Sequence, residues 1–560
     1  MKLKDRRWDR VVNAFRDRLA LSRIGLFIGL LFLAASLTPS LIPRPYLLQG
    51  VLSGLLLSLG YGFGILALWF WRYLELPVPQ SRRVLIVGDL ACAAALFLTV
   101  LSFWNASHWQ NSIRALMNMP PVQSVEPISL VVVTVLVFLI VLLLARLCLR
   151  AFRYLSARIE PYSTRPLSRV VGAFAVLVLV WTVADGVLLK AALRMADSSF
   201  RELDSLVDAD VAPPADPMKT GSAASLIAWQ DLGFRGREFV SSGPTAKDIT
   251  AVTGHEAKEP IRVYVGLDAA ETAEERAALA LAEMKRVGAF DRSILVVTMP
   301  TGTGWMDPAA MDPLDYLHDG DVASVGLQYS YLASWLSLLV EPSYGQESGT
   351  ALFRAVYGYW TTLPKDRRPR LYLHGLSLGA LNSARSMQLI DVIGDPPQGA
   401  FWAGPPFPSA GWISATANRV EGTPAWLPRF GDGSVIRFTA QKNALDIPGA
   451  TWGPMRIVYL QYASDPIVFF KENAFYREPD WMKTPRGPDV SPELRWYPVI
   501  TALQLGLDIA LATTTPMGHG HVYAPENYLD GWVAVTTPTM PPEEISRLRD
   551  YFIAQRAKYQ

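Results

Sequence analysis

Cysteine is scarce: Cys92 and Cys148 are the two thiols in 560 residues, and both lie in or beside long apolar runs. The chain beyond about residue 195 has no thiol at all, which excludes a disulfide framework or a cysteine-based metal site there and leaves the compartment open. Excess charge is lacking too. A formal net charge of +2, with no Lys/Arg stripe interleaved with aromatics in the polar part, argues against a nucleic-acid partner. The chain also has no internal repeat and no nucleotide or flavin signature. Its Thr301-Gly302-Thr303-Gly304 run lacks the helix-opening pattern of a phosphate loop, so no cofactor is expected.

What is present is divided unevenly. Five stretches have the roughly 20 apolar residues that a membrane-spanning helix needs: Ile24 to Pro43, Tyr46 to Trp71, Val84 to Trp104, Ile128 to Leu149, and Val170 to Leu193. The first has no small-residue cleavage pattern, so it is expected to remain as an anchor. Basic residues cluster in the N-terminal tail and in the loops after the second and fourth stretches, whereas the first and third loops hold little beyond Arg44 and Arg114. Because Lys and Arg stay on the cytoplasmic side, the tail is expected there and everything after the fifth span outside. Asp89 and Asp185 fall within or near span ends. A carboxylate there is costly unless it is paired or reaches the interface.

A chain of this length suggests at least two structural units. The expected organisation is a helical transmembrane domain over 1–194, a polar juxtamembrane linker over 195–260, and a catalytic domain over 261–560. In the last, strand-like and helix-like segments alternate, which predicts a mostly parallel sheet covered by helices. Strands are expected at Arg262 to Leu267, Ile294 to Met299, Arg370 to His374, Ala400 to Ala403 and Arg456 to Ala463. Helices are expected over Thr272 to Val287, around Ala351 to Thr361, and from Ala380 onward.

The chemistry centres on Gly375-Leu376-Ser377-Leu378-Gly379, a G-x-S-x-G pattern between an apolar strand and a helix. In that context the pattern places a serine on a strained turn with its hydroxyl above the sheet, and the Leu378 N–H faces a developing oxyanion. Elsewhere the same letters are a common Gly-rich loop. The acid and histidine are expected downstream of the serine in that order. Only His519 and His521 lie there, so one of them is the expected base, with His519 taken first; the rival reading is a surface turn or half of a metal site. Asp465, at the end of a strand, is the expected acid. Asp432, Asp446 and Asp489, in Gly/Pro-rich loops, are expected to be solvated turn residues. A second oxyanion donor is expected from Gly302 or Thr303, although Thr-Gly-Thr-Gly also reads as a plain tight turn. His374 is expected to be a core histidine.

Together with Pro260 to Leu267, Pro300 to Trp305, Gln328 to Leu332 and Gly518 to His521, these residues resemble a bacterial α/β-hydrolase family in which a multi-span membrane domain precedes the catalytic domain. The resemblance implies an α/β-hydrolase fold in the bacterial inner membrane. With the loop charges, it places the catalytic domain in the periplasm. The expected activity is an esterase or lipase acting on membrane lipids, aminoacylated phospholipids among them, or on a small amphiphilic ester. An acyltransferase using the same residues, or a membrane module that only binds, are the alternatives.

Overall fold

The apolar runs of the first two hundred residues fold as helices α1 (Arg23–Ser36), α2 (Tyr46–Tyr73), α3 (Arg82–Leu116), α4 (Pro127–Ile159) and α5 (Arg165–Trp181). The structure, a computed structural model, describes residues 21–77, 82–182, 212–331 and 344–560. By its contacts the chain divides into two units. One holds Met1–Leu188 with Glu472–Glu478 and Ser491–Leu507, and the other holds Leu189–Lys471, Pro479–Val490 and Asp508–Gln560.

Among the described residues three helices, not the expected five, are long and apolar enough to cross a membrane: α2, α3, and α4 with the turn that follows it. The first expected span is cut short because Pro39 and Pro43 remove backbone donors just beyond it, ending α1 after 14 residues. The carbonyls left open find side-chain partners. Gln49 Nε2 donates to Ser36 O at 2.9 Å, and Gln504 Nε2 donates to Ser36 O at 3.2 Å and to Thr38 O at 3.1 Å. The fifth expected span is described as α5, 17 residues long; its remainder lies outside the described residues, as does Asp185. Asp89 is exposed and paired with Arg23 at 2.8 Å.

Among the described residues the second unit is built on seven strands: β1 (Ile261–Val265), β2 (Ile294–Met299), β3 (Val322–Leu327), β4 (Arg370–Leu376), β5 (Gly399–Ala403), β6 (Ile436–Thr439) and β7 (Arg456–Leu460). Their order is β1-β3-β2-β4-β5-β7-β6, and every pairing is parallel. A parallel sheet is covered on both faces, which is why its strands read as near-continuous apolar runs such as Ile294 to Met299. One face packs with α8 (Ala273–Arg286) and α10 (Tyr344–Trp360), burying Ala277, Leu352, Val356 and Trp360. The other packs with α9 (Pro308–Leu317), α12 (Pro525–Thr536) and α13 (Pro542–Ala554), burying Leu314, Trp532 and Phe552. Part of the stretch read as a linker joins this core: Ile227, Trp229 and Leu232, then Phe239 and Val240 of α6 (Gly233–Ser241), lie buried in the same cluster as β1. Helix α7 (Ala246–Thr253) follows, capped by Thr245 and Asp248.

This strand order locates the site. The chain leaving β2 goes outward to β3, whereas the chain leaving β4 passes through α11 (Leu378–Ser386) to β5 on the other side. Loops that depart in opposite directions from adjacent parallel strands open a crevice at their carboxyl ends. Here that crevice lies between the Thr301–Gly304 turn after β2 and Ser377 after β4.

Candidate active site

Ser377 has φ 58° and ψ −126°, a conformation that costs a non-glycine residue of order 1–3 kcal/mol and persists only where its surroundings impose it. They do so from both sides. A Cβ on Gly379 would sit 2.1 Å from the Met299 carbonyl oxygen, and one on Gly375 would sit 2.3 Å from the Gly379 carbonyl carbon. The turn is thus pressed onto the end of β2 and onto itself, and the Ser377 N–H donates to Ala403 O of β5 at 3.0 Å. Leu378 opens α11, so its N–H is one of the helix donors without an intrahelical acceptor.

Asp465 follows β7 and is fully buried. Its Oδ1 accepts from the Ile467 N–H at 2.9 Å. Its Oδ2 lies 2.6 Å from His521 Nδ1 and accepts from Tyr523 Oη, also at 2.6 Å. The other ring nitrogen of His521, Nε2, is buried without a hydrogen-bond partner among the described residues. Asp465 therefore pairs with His521 and not with His519, which sequence reasoning took first. His519 Nδ1 is buried without a partner among the described residues, and burial pulls that imidazole below its ordinary pKa.

Gly404 connects the serine to the histidine. It follows Ala403, the acceptor for Ser377, at φ +51°, and a Cβ there would meet His521 Cε1 at 2.5 Å and Nδ1 at 3.0 Å. The missing side chain is what makes room for the imidazole beside the serine turn. Gly404→Ala is accordingly expected to lower kcat by roughly 10²-fold, the scale of loss from a small misplacement of reacting groups. Steady-state kinetics on the folded variant check this, and an unchanged kcat contradicts it.

After β2, the Thr301 N–H donates to Trp305 O at 3.0 Å and the Gly304 N–H donates to Thr301 O at 2.9 Å. Tyr264 Oη donates to Gly304 O at 2.6 Å. This tight turn carries Gly302 and Thr303 at the end of the strand whose Met299 pairs with Gly375. His374 is a buried core residue: its Nδ1 bonds Phe401 O at 2.7 Å and its ring packs among Phe401, Tyr528 and Trp532. Burial pulls its pKa down to about 4.

Sequence reasoning missed four residues here: Gly404, Ser464, Tyr523 and Asp489. Asp489, expected to be solvated, is buried and accepts from Ser464 Oγ at 2.6 Å and from Gln441 Nε2 at 2.5 Å. A local signal existed for two of them, since Ser464 precedes the acid directly and Tyr523 follows the histidine by two.

Asp307, the N-cap of α9, is also buried, its Oδ1 accepting from the Ala309 N–H at 2.9 Å. Burial pushes its carboxyl up to about 7. The folded chain then keeps the proton where the unfolded chain ionises, so stability falls as pH rises from about 4 to about 7 and levels off above. Asp307→Asn removes this titration. In thermal melts, the Tm of the variant relative to wild type is expected to rise across that window and then hold; a constant difference contradicts the assignment.

Residues 261–548 match the family described as "Alpha/beta-hydrolase family", and residues 37–244 match that described as "Alpha/beta-hydrolase family N-terminus". No curated protein and no solved structure matches the chain.

Proposed function

Because the chain belongs to the α/β-hydrolase family, we propose that it is a serine hydrolase cleaving carboxylic esters through an acyl-enzyme. Ser377 Oγ attacks the ester carbonyl while His521 Nε2 takes its proton. Asp465 holds the imidazole with Nδ1–H directed at Oδ2 and stabilises the imidazolium that forms. The Leu378 N–H, with that of Gly302 or Thr303, receives the oxyanion. Collapse expels the alcohol, which leaves with the proton from His521. Water then attacks the acyl-enzyme by the same steps, giving its proton to His521 and releasing the acid and Ser377.

One observation carries this reading: a buried carboxylate 2.6 Å from one nitrogen of a histidine whose other nitrogen is buried and, among the described residues, unpartnered, at the same sheet edge as a strained serine. An imidazole oriented by a carboxylate is the arrangement a general base needs.

The site of action is proposed to be the outer face of a bacterial inner membrane. Three long apolar helices and the Lys/Arg distribution support that placement. A tether beside the bilayer raises the effective concentration of lipid-borne esters, which makes membrane lipids the favoured substrates over small soluble esters. Detergent-purified protein assayed on p-nitrophenyl esters of increasing chain length, with diacyl lipids in parallel, tests both parts. Turnover that favours lipid esters is expected. Turnover confined to short soluble esters removes the lipid assignment, and none on any ester contradicts the esterase reading.

A further inference from the structure

His521 stands 56 residues after Asp465, and segments 472–478 and 491–507 of the intervening chain group with the helical unit. Among the described residues, no strand of the sheet leads into the histidine. The turn that carries it is shaped by its own bonds: Gly518 N–H to Val522 O at 2.8 Å, Val522 N–H to His519 O at 3.1 Å, and His521 N–H to Ala512 O at 2.9 Å. These bonds fix the shape of the turn without placing it on the sheet edge where Asp465 sits.

A second set of bonds does that. The Gly520 N–H donates to Ser464 Oγ at 2.9 Å. Gly520 is the neighbour of His521, and Ser464 is the neighbour of Asp465, so the two segments are joined twice, side by side. A backbone N–H can only donate, so the Ser464 hydroxyl accepts from it and must give its own proton elsewhere. It gives it to Asp489 Oδ2 at 2.6 Å. The same oxygen accepts from Gln441 Nε2 at 2.5 Å, and that amide also reaches Gly518 O at 3.3 Å. One buried carboxylate thus sets the polarity of bonds to the backbone on both sides of His519, immediately before His521.

We propose that Asp489, acting through Ser464 and Gln441, is a positioning residue that seats the Gly518–Gly520 turn so that His521 meets Asp465. The proposal rests on the serine-hydrolase reading. Asp489 touches none of the reacting atoms; its effect passes through the placement of one imidazole.

The test compares Asp489→Ala, Asp489→Asn and Ser464→Ala in the full-length protein. Asp489→Ala leaves the Ser464 proton without an acceptor and is expected to lower kcat by about 10- to 100-fold with little change in KM, the signature of a reacting group held out of place. Asp489→Asn keeps an acceptor oxygen and is expected to recover most of that loss. Ser464→Ala is expected to match Asp489→Ala, and the double variant to be no worse than either single one, because both act along one path. Hydrogen exchange followed by mass spectrometry reads the brace independently of activity, and faster exchange over residues 516–522 in Asp489→Ala is expected. Wild-type kcat in a folded Asp489→Ala protein overturns the proposal alone, as does faster exchange with unchanged kcat. A wild-type protein that turns over no ester removes the reading beneath it and the proposal together.

Discussion

Alanine in place of His521 is expected to lower kcat for ester hydrolysis by about 10³-fold or more, while alanine in place of His519 leaves it within a few-fold of wild type. The two histidines are partly or wholly buried and two residues apart, so composition does not separate them. Orientation does. A general base must present a lone pair to the serine, which requires its other nitrogen to carry the proton and to be held by an acceptor. His521 Nδ1 has that acceptor in Asp465 at 2.6 Å, whereas His519 Nδ1 is buried with none among the described residues. Steady-state kinetics with a thermal melt on each variant decide the matter. Equal losses from the two substitutions in folded protein would transfer the role to His519 or divide it.

Asp465→Asn carries the second large effect, a fall in kcat of about 10⁴-fold with the fold retained. Asparagine preserves size and can still accept from the Ile467 N–H, so the short helix that begins there keeps its cap. What changes is the tautomer. An amide nitrogen facing His521 Nδ1 favours the proton on Nε2, where the lone pair is needed. Tyr523, which donates to the same oxygen, loses its acceptor in that arrangement, so Tyr523→Phe is expected to cost much less than Asp465→Asn. A modest loss in Asp465→Asn, comparable with that of Tyr523→Phe, contradicts the orienting role given to the carboxylate.

The elements most legible in the sequence are those whose local signals agree. β2 forms over Ile294–Met299 as expected, because five apolar residues and one threonine are bounded by polar turns. Helix α8 forms over Ala273–Arg286, within the expected span, because Thr272 and Glu275 make a capping box and Lys285 and Arg286 sit in the last turn. β3 and β6 were not anticipated. Val-Ala-Ser-Val-Gly-Leu is diluted by small residues, and Ile-Arg-Phe-Thr is four residues long with an arginine inside. Tertiary pairing, more than strand propensity, makes them strands.

At the candidate site, the serine, acid and histidine pair proposed as catalytic could be nominated because chain order and strand–turn–helix context restrict the choices. The choice between His519 and His521 could not, since it depends on the direction of a ring in a turn whose conformation is set by residues far away in sequence. Asp489 was hidden for the same reason. A loop flanked by Gly and Pro looks solvated, and its burial follows from the return of the chain over the ends of β6 and β7. Of the five expected spans, the first is cut short because apolar content alone does not register Pro39 and Pro43 as the end of a helix, and the fifth is described only over α5.

The central claim is that Ser377 is an activated nucleophile, and covalent labelling with a fluorophosphonate probe tests it most directly. Wild-type protein in isolated membranes is expected to label, Ser377→Ala to show none, and His521→Ala to label far more slowly than His519→Ala. Labelling that persists in Ser377→Ala, or none in a folded wild-type protein with its site open to the probe, would contradict the account.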